Sequence, residues 1–331
     1  MLKTFVYKAA LFIILPLPFA FGLHHAITQG LLLSRNKYLG TWNDIRSSKI
    51  KSKIYISGSS RARVQFSTNI IDSMLHTNSY NLGMEGYQFS MQDYRLKMAL
   101  KYNPKPKCIV QVLDFFSLHD RSDLFEYQQF LPYLSDSSII GATQQYKGRF
   151  NWFQIHVPLY RYNSEAFLIK EGINNYIHQR PTVIEKINKN YAPQDKKWDG
   201  KFEEFKAAHP RGEFAIVDYK AKAKFLSFLM MCQAKNIKLI LVYPPEYSEF
   251  QSIIRNRKEI IDLYTRYAND FNIPFLDYSN HPLSRSRRYF YNSQHLNKEG
   301  AEIFTQQFCR DLTTHLDSAT LQSLIVSPNS K

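Results

Sequence analysis

Short apolar runs alternate with longer amphipathic stretches along much of this chain. KIYISG (53–58) reads as a short buried strand ending in glycine. SSRARVQFSTNIIDSMLHT follows, with Val64, Ile70, Ile71, Met74 and Leu75 at roughly helical spacing. SYNLG (79–83) is strand-like and FSMQDYRLKMALKY (89–102) helical. KCIVQVLDFF (107–116) has the unbroken apolar character of a central parallel strand. The rhythm resumes with helix-like DYKAKAKFLSFLMMCQAKN (218–236), then IKLILVYPP (237–245) as a strand. A helix over about 253–271, a strand at IPFLDY (273–278) and a helix at KEGAEIFTQQFCRDL (298–312) complete it. Five apolar strands alternating with helices predict a flavodoxin-like, three-layer α/β/α fold around a five-stranded parallel sheet. Right-handed crossovers then gather the strand C-terminal ends on one edge, where such folds place their sites.

Two stretches break the alternation. Residues 117–217 are polar and aromatic, including QQYKGRFNWFQIHVPLYRYN, and read as a large insertion over the site edge. Its aromatics (Tyr146, Phe150, Trp152, Phe153, Tyr160, Tyr162), with Lys147, Arg149 and Arg161, suit either a satellite core or a sugar-stacking, acid-binding lip. The N-terminus opens MLKTFVYKAALFIILPLPFAFGL, where Lys3 and Lys8 precede an uncharged apolar run from Ala9 to Leu23. We read it as an uncleaved transmembrane anchor, with a signal peptide cleaved near Ala20 and Gly22 as the rival. Arg35 and Lys37 balance Lys3 and Lys8, so charge leaves the orientation open, and signal-like architecture favours a main domain outside the cytoplasm. The expected organisation is an anchor or signal segment over 1–35, an α/β domain over 50–315 interrupted by 117–217, and a C-terminal tail over 316–331.

Composition adds limits. The 331 residues are 44% hydrophobic, enough for a sizeable core. The formal net charge is +15, but Lys and Arg are scattered, and no zinc-finger, RNA-recognition or helix-turn-helix pattern accompanies them. A diffuse positive field suits an anionic membrane surface or acidic glycans, and no nucleic-acid partner is expected. Cys108, Cys232 and Cys309 fall in apolar or helix-like runs and read as buried free thiols, without metal-binding spacing.

The chemistry gathers at the strand ends. Ser60 sits on the turn after the first strand, where its hydroxyl would be exposed and a helix N-terminus would face a developing oxyanion. A serine hydroxyl needs a base within reach, and His295, on a loop before the last helix, is the candidate. Gly86 would offer a backbone N–H, because glycine permits close approach. Each signal has a plainer use: serines after a strand commonly cap helices, and a loop histidine is commonly structural.

Gly58-Ser59-Ser60-Arg61, Asn81-Leu82-Gly83-Met84-Glu85-Gly86 and His295-Leu296-Asn297…Gly300, in this order, resemble the SGNH (GDSL-like) hydrolase superfamily. The likeness is greatest to its membrane-anchored bacterial branch, with polysaccharide O-acetyltransferase and D-alanyl-transfer relatives. It covers about 50–120 and 218–315 and leaves the insertion unexplained. The resemblance implies the SGNH hydrolase fold, with Ser60 as nucleophile, His295 as general base, and the N–H groups of Ser60 and Gly86 as oxyanion donors. It implies acyl transfer from an ester to water or to a sugar or polyol hydroxyl, without metal or organic cofactor. The implied partners are a cell-surface glycan or its acyl donor or acceptor, the membrane through the N-terminal segment, and a membrane acyltransferase.

Two positions depart from that pattern. The third-block asparagine has no counterpart, since the strand ends Leu113-Asp114-Phe115-Phe116, and the fifth-block aspartate, three before the histidine, is Asn292. In a serine protease triad, aspartate-to-asparagine costs about 10⁴-fold in turnover, and one oxyanion donor is worth roughly 10²–10³. Asp277 is the candidate substitute acid, with Asp114 also on the expected edge, although Asp277 before Tyr-Ser-Asn equally suits a turn cap. An SGNH-fold protein that binds glycan in a surface-polysaccharide assembly without turnover is therefore the alternative to the esterase or O-acyltransferase.

Overall fold

A computed structural model describes residues 2–182 and 187–326. The chain forms two compact units, one from residues 1–44 with 122–185, the other from 45–121 with 186–331.

The larger unit is built on five parallel strands: β1 (Ile54–Ser57), β2 (Ser79–Asn81), β3 (Cys108–Val112), β4 (Lys238–Tyr243) and β5 (Phe275–Asp277). Their order, β2-β1-β3-β4-β5, is the doubly wound order expected from the alternation. The three inner strands are apolar and almost wholly buried because helices cover both faces. Ile54, Ile56, Val110, Ile240 and Val242 face one layer, where Ala62, Ile71, Phe304 and Phe308 complete the core. Tyr55, Ile109, Leu239 and Leu241 alternate to the other face. There Phe89 lies 4.9 Å and Phe225 6.0 Å, centroid to centroid, from Phe225 and Tyr264 respectively.

Two expected helices are interrupted. The first becomes Ser60–Gln65 and Thr68–Leu75, because Ser67 adopts an extended backbone and caps the second piece through Ile70 N. The helix expected over 253–271 becomes Ser248–Ile253 and Arg257–Asp270. The tail expected over 316–331 begins with a helix, Ser318–Leu324, whose Leu324 joins the sheet core; residues 327–331 lie outside the described residues.

The smaller unit corrects the transmembrane expectation. The apolar N-terminal run forms two helices, Leu2–Ile14 and Leu17–Leu32, separated at Leu15 and Pro16. Proline lacks the N–H that a continuous helix needs there. Among the described residues, no helix is long and apolar enough to cross a membrane. The second helix also spends part of its surface on protein: Ile27, Gly30 and Leu31 are buried. Gly30 packs backbone to backbone on Gly172 of the Ala166–His178 helix; a Cβ at Gly30 would come within 1.7 Å of the Gly172 carbonyl oxygen. Asn175 Nδ2 donates to the Gly30 carbonyl at 3.0 Å, and buried Glu171 accepts from Ser34 and Asn36, each at 2.6 Å. The aromatics of the expected lip divide: Tyr146, Phe150 and Tyr162 are core, while Trp152, Phe153 and Tyr160 are exposed. Arg161 is buried and donates to the carbonyls of Gln154, Leu131 and Ile155.

Candidate active site

Ser60 owes its place to a tight exit from β1. Gly58 has φ +153°, and a Cβ there would meet Val112 Cβ at 2.7 Å and Ala62 Cβ at 2.9 Å. Only glycine lets the end of β1 pass so close to β3. Ser59 then caps the short helix, its hydroxyl accepting from Arg61 N at 3.1 Å. Ser60 opens that helix, so its backbone N–H has no partner within it, and its side chain stays partly exposed. The Asn81–Gly86 loop is pinned alongside by Leu82 N to Ile56 O (2.6 Å) and Met84 N to Gly58 O (2.9 Å). Gly86 ends this loop with φ +70°, its carbonyl accepting from the Arg121 guanidinium.

His295 arrives on a hairpin. β6 (Phe290–Asn292) pairs antiparallel with β7 (His295–Leu296), and Asn292 lies opposite His295 across the Ser293-Gln294 turn. The three-residue spacing noted in the sequence is thus a tight hairpin that sets the two side chains together. His295 Nε2 lies 2.7 Å from Ser60 Oγ, and Nδ1 lies 2.9 Å from Asn292 Oδ1. Asn292 Oδ1 also accepts from the backbone N–H of Gln294 at 3.1 Å and of His295 at 3.0 Å. Two backbone donors therefore fix the amide with its oxygen toward the imidazole, because a flip would set –NH₂ against N–H groups. An acceptor at Nδ1 requires the proton there, which leaves the Nε2 lone pair facing the Ser60 hydroxyl. Asn292 supplies the tautomer a general base needs, but no negative charge.

The missing charge shows in the electrostatics. Burial, reinforced by the positive charge of Arg61, lowers the His295 pKa from 6.5 to about 3. His295 is then neutral across the physiological range and a weak proton acceptor. Tyr291 stacks on its ring at 5.3 Å and 20°.

Asp114, Glu246 and Asp277 stand on this edge, and each is engaged elsewhere. Arg61, fully buried one residue after Ser60, meets Asp114 at 2.9 Å and Glu246 at 3.5 Å. Arg257 holds Glu246 at 3.0 Å, and Tyr243 donates to Glu246 at 2.8 Å. Two arginines and two carboxylates make a formally neutral cluster. Burial alone would lower the Arg61 pKa, but Glu246 and Asp114 beside it raise it. Asp114, which stands where the third-block asparagine was sought, is thus the partner of Arg61. Asp277, the expected substitute acid, is exposed, and its Oδ1 accepts from Ser279 N at 2.9 Å and from the Ser279 hydroxyl. It caps a turn, and the Nδ1 of His295 belongs to Asn292. The sequence reading missed Arg61, Glu246 and Tyr291; only their places beside Ser60, after β4 and within the His295 stretch pointed to them.

Among the described residues, no group of three or more His, Cys, Asp or Glu side chains could hold a metal ion. A cavity of about 200 Å³ adjoins His295 and Asn292, with Phe202 and Phe250 in its wall. Chemically, the arrangement can deprotonate Ser60 as it attacks a carbonyl carbon and return that proton to a leaving alkoxide.

No family model matches the chain, and no curated protein matches it. Similar solved structures include a protein assigned to the G-D-S-L lipolytic family from Desulfitobacterium hafniense, at 11% identity and TM-score 0.38, covering 78% of this chain and 99% of that one. An aryl esterase of M. smegmatis is similar at 10% identity and TM-score 0.36, covering 80% and 100%. A carbohydrate acetylesterase from Sinorhizobium meliloti is similar at 11% identity and TM-score 0.36, again covering 80% and 100%. Likeness at this level carries no functional argument, and the chain's own topology and geometry bear the reading that follows.

Proposed function

We propose that the protein is an SGNH-like serine esterase or O-acyltransferase acting on acyl esters of a cell-surface polysaccharide. The observation that supports it is the continuous Ser60–His295–Asn292 hydrogen-bonded line, with the imidazole held in the base tautomer. Ser60 Oγ attacks the ester carbonyl while its proton passes to His295 Nε2. The C–O bond then breaks, the proton leaves with the alkoxide, and an acyl-Ser60 remains. Water or a sugar hydroxyl attacks that ester in turn, its proton taken by His295 and returned to Ser60. The N–H groups of Ser60 and Gly86 would receive the oxyanion.

The polysaccharide substrate, an acyl-supplying membrane acyltransferase as partner, and an extracytoplasmic location belong to the same proposal. Attachment to a membrane surface fits the exposed Phe5, Phe12, Phe19 and Phe21 of the N-terminal helices, which suit a shallow interfacial position. A second reading, glycan binding without turnover, is favoured by the uncharged residue at position 292 and by a His295 pKa of about 3. A serine-directed phosphonate separates them. It should label the wild type and leave Ser60→Ala unlabelled, with p-nitrophenyl acetate turnover falling by about 100-fold. A folded wild type that is neither labelled nor active would overturn the enzyme reading.

A further inference from the structure

A second cavity, of about 600 Å³, lies beside the hairpin that carries His295. Five cationic side chains line it: Lys196, Lys197, Arg287, Arg288 and Lys298, against Asp195 and Glu299. Two of the cations are already paired: Arg288 meets Glu299 at 2.6 Å, and Arg287 meets Glu203 at 2.6 Å. Among the described residues, Lys196, Lys197 and Lys298 have no ion-pair partner. These three exposed lysines stand around one cavity, and an anion bound among them would gain their attraction. The wall is also aromatic, since Trp198 lines it with the Arg287 guanidinium 5.1 Å from its ring centroid.

The cavity is coupled to the candidate site through one ring. Lys196 Nζ lies 5.6 Å from the centroid of Tyr291, the ring that stacks on His295. Asp199 N donates to Tyr291 O at 2.9 Å and ties the lysine-bearing segment to β6. Asp199 and Phe202, a few residues on, line the smaller cavity beside His295.

We infer that this cavity is a subsite for an anionic group, phosphate or carboxylate, carried by the ester substrate; this rests on the acyl-transfer reading of Ser60 and His295. Specificity would then come from charge held on one side of Tyr291 and chemistry on the other.

The test begins with binding, which needs no turnover. Ser60→Ala protein is titrated calorimetrically with glycerol 3-phosphate and with methyl glucuronide, each against its uncharged counterpart, glycerol or methyl glucoside. At least one anion should bind more tightly than its counterpart, and which one identifies the phosphate or carboxylate source. Lys197→Gln combined with Lys298→Gln should weaken that binding about tenfold, and Lys235→Gln, an exposed lysine elsewhere, should not. In Ser60-competent protein, the same pair should lower the ratio of kcat/KM between an anionic and a neutral acetyl ester by a similar factor. If neither anion is preferred, or Lys235→Gln weakens it equally, the subsite is overturned. If anions bind as expected while Ser60 proves unreactive, the anion site stands and the acyl-transfer reading falls.

Discussion

Two polar clusters share one edge of the sheet and are built on opposite principles. Around Arg61, charge is abundant and balanced: two arginines and two carboxylates pair with one another, with Arg61, Asp114 and Glu246 buried. At His295 Nδ1 there is no carboxylate, only an amide oxygen fixed by backbone donors. Acid is therefore not scarce at this edge; it is committed to structure. The comparison separates two duties that one aspartate performs in a serine triad, orienting the histidine and stabilising its charged form. Here Asn292 performs the first, while the Arg61 charge nearby works against the second.

Opening the charged cluster should have the largest effect. Arg61→Met strands buried Asp114 without a counter-ion and leaves Glu246 to Arg257 alone, and unfolding in urea should show a loss of about 3–5 kcal/mol. A loss below about 1 kcal/mol would mean that the buried pair is not formed. The uncharged half is sharpened by Asn292→Asp. A carboxylate there keeps the tautomer and adds the missing charge, so kcat on a p-nitrophenyl ester should rise by about 10- to 100-fold. The pH profile should change with it. A His295 pKa near 3 keeps the wild-type base neutral, so activity holds as pH falls through 6; raising that pKa moves the acid limb up toward neutrality. Unchanged kcat and an unchanged acid limb would count against the two-duty account. The smallest effect belongs to Asp277→Ala, where only a turn cap on Ser279 is removed. Stability should fall by less than about 1 kcal/mol and turnover should hold, as measured by thermal melting and ester hydrolysis.

These outcomes also mark what could be read along the chain. The strands were legible because a sheet covered on both faces demands unbroken apolar runs such as CIVQV and KLILVY. Ser60 and His295 were legible because both sit where doubly wound folds collect loops. The partner of His295 was not, since sequence shows that residue 292 is an amide but not which way its oxygen points. That direction is set by the Gln294 and His295 N–H groups inside a two-residue turn. Asp277 and Asp114 looked equally able to help, and only tertiary packing assigns one to Ser279 and the other to Arg61. The N-terminal run misled for a related reason. Its hydropathy suited a span, but the break at Leu15 and Pro16 and the close Gly30–Gly172 packing are not visible in hydropathy.

Whether Asn292 orients His295 without charging it is read directly by ¹⁵N NMR titration of the His295 ring in the wild type and in Asn292→Asp. The wild-type imidazole should be neutral and protonated on Nδ1 throughout the accessible acid range, with its pKa near 3, and that pKa should rise clearly with aspartate at 292. A wild-type His295 that titrates near 6.5, or that carries its proton on Nε2, would contradict this.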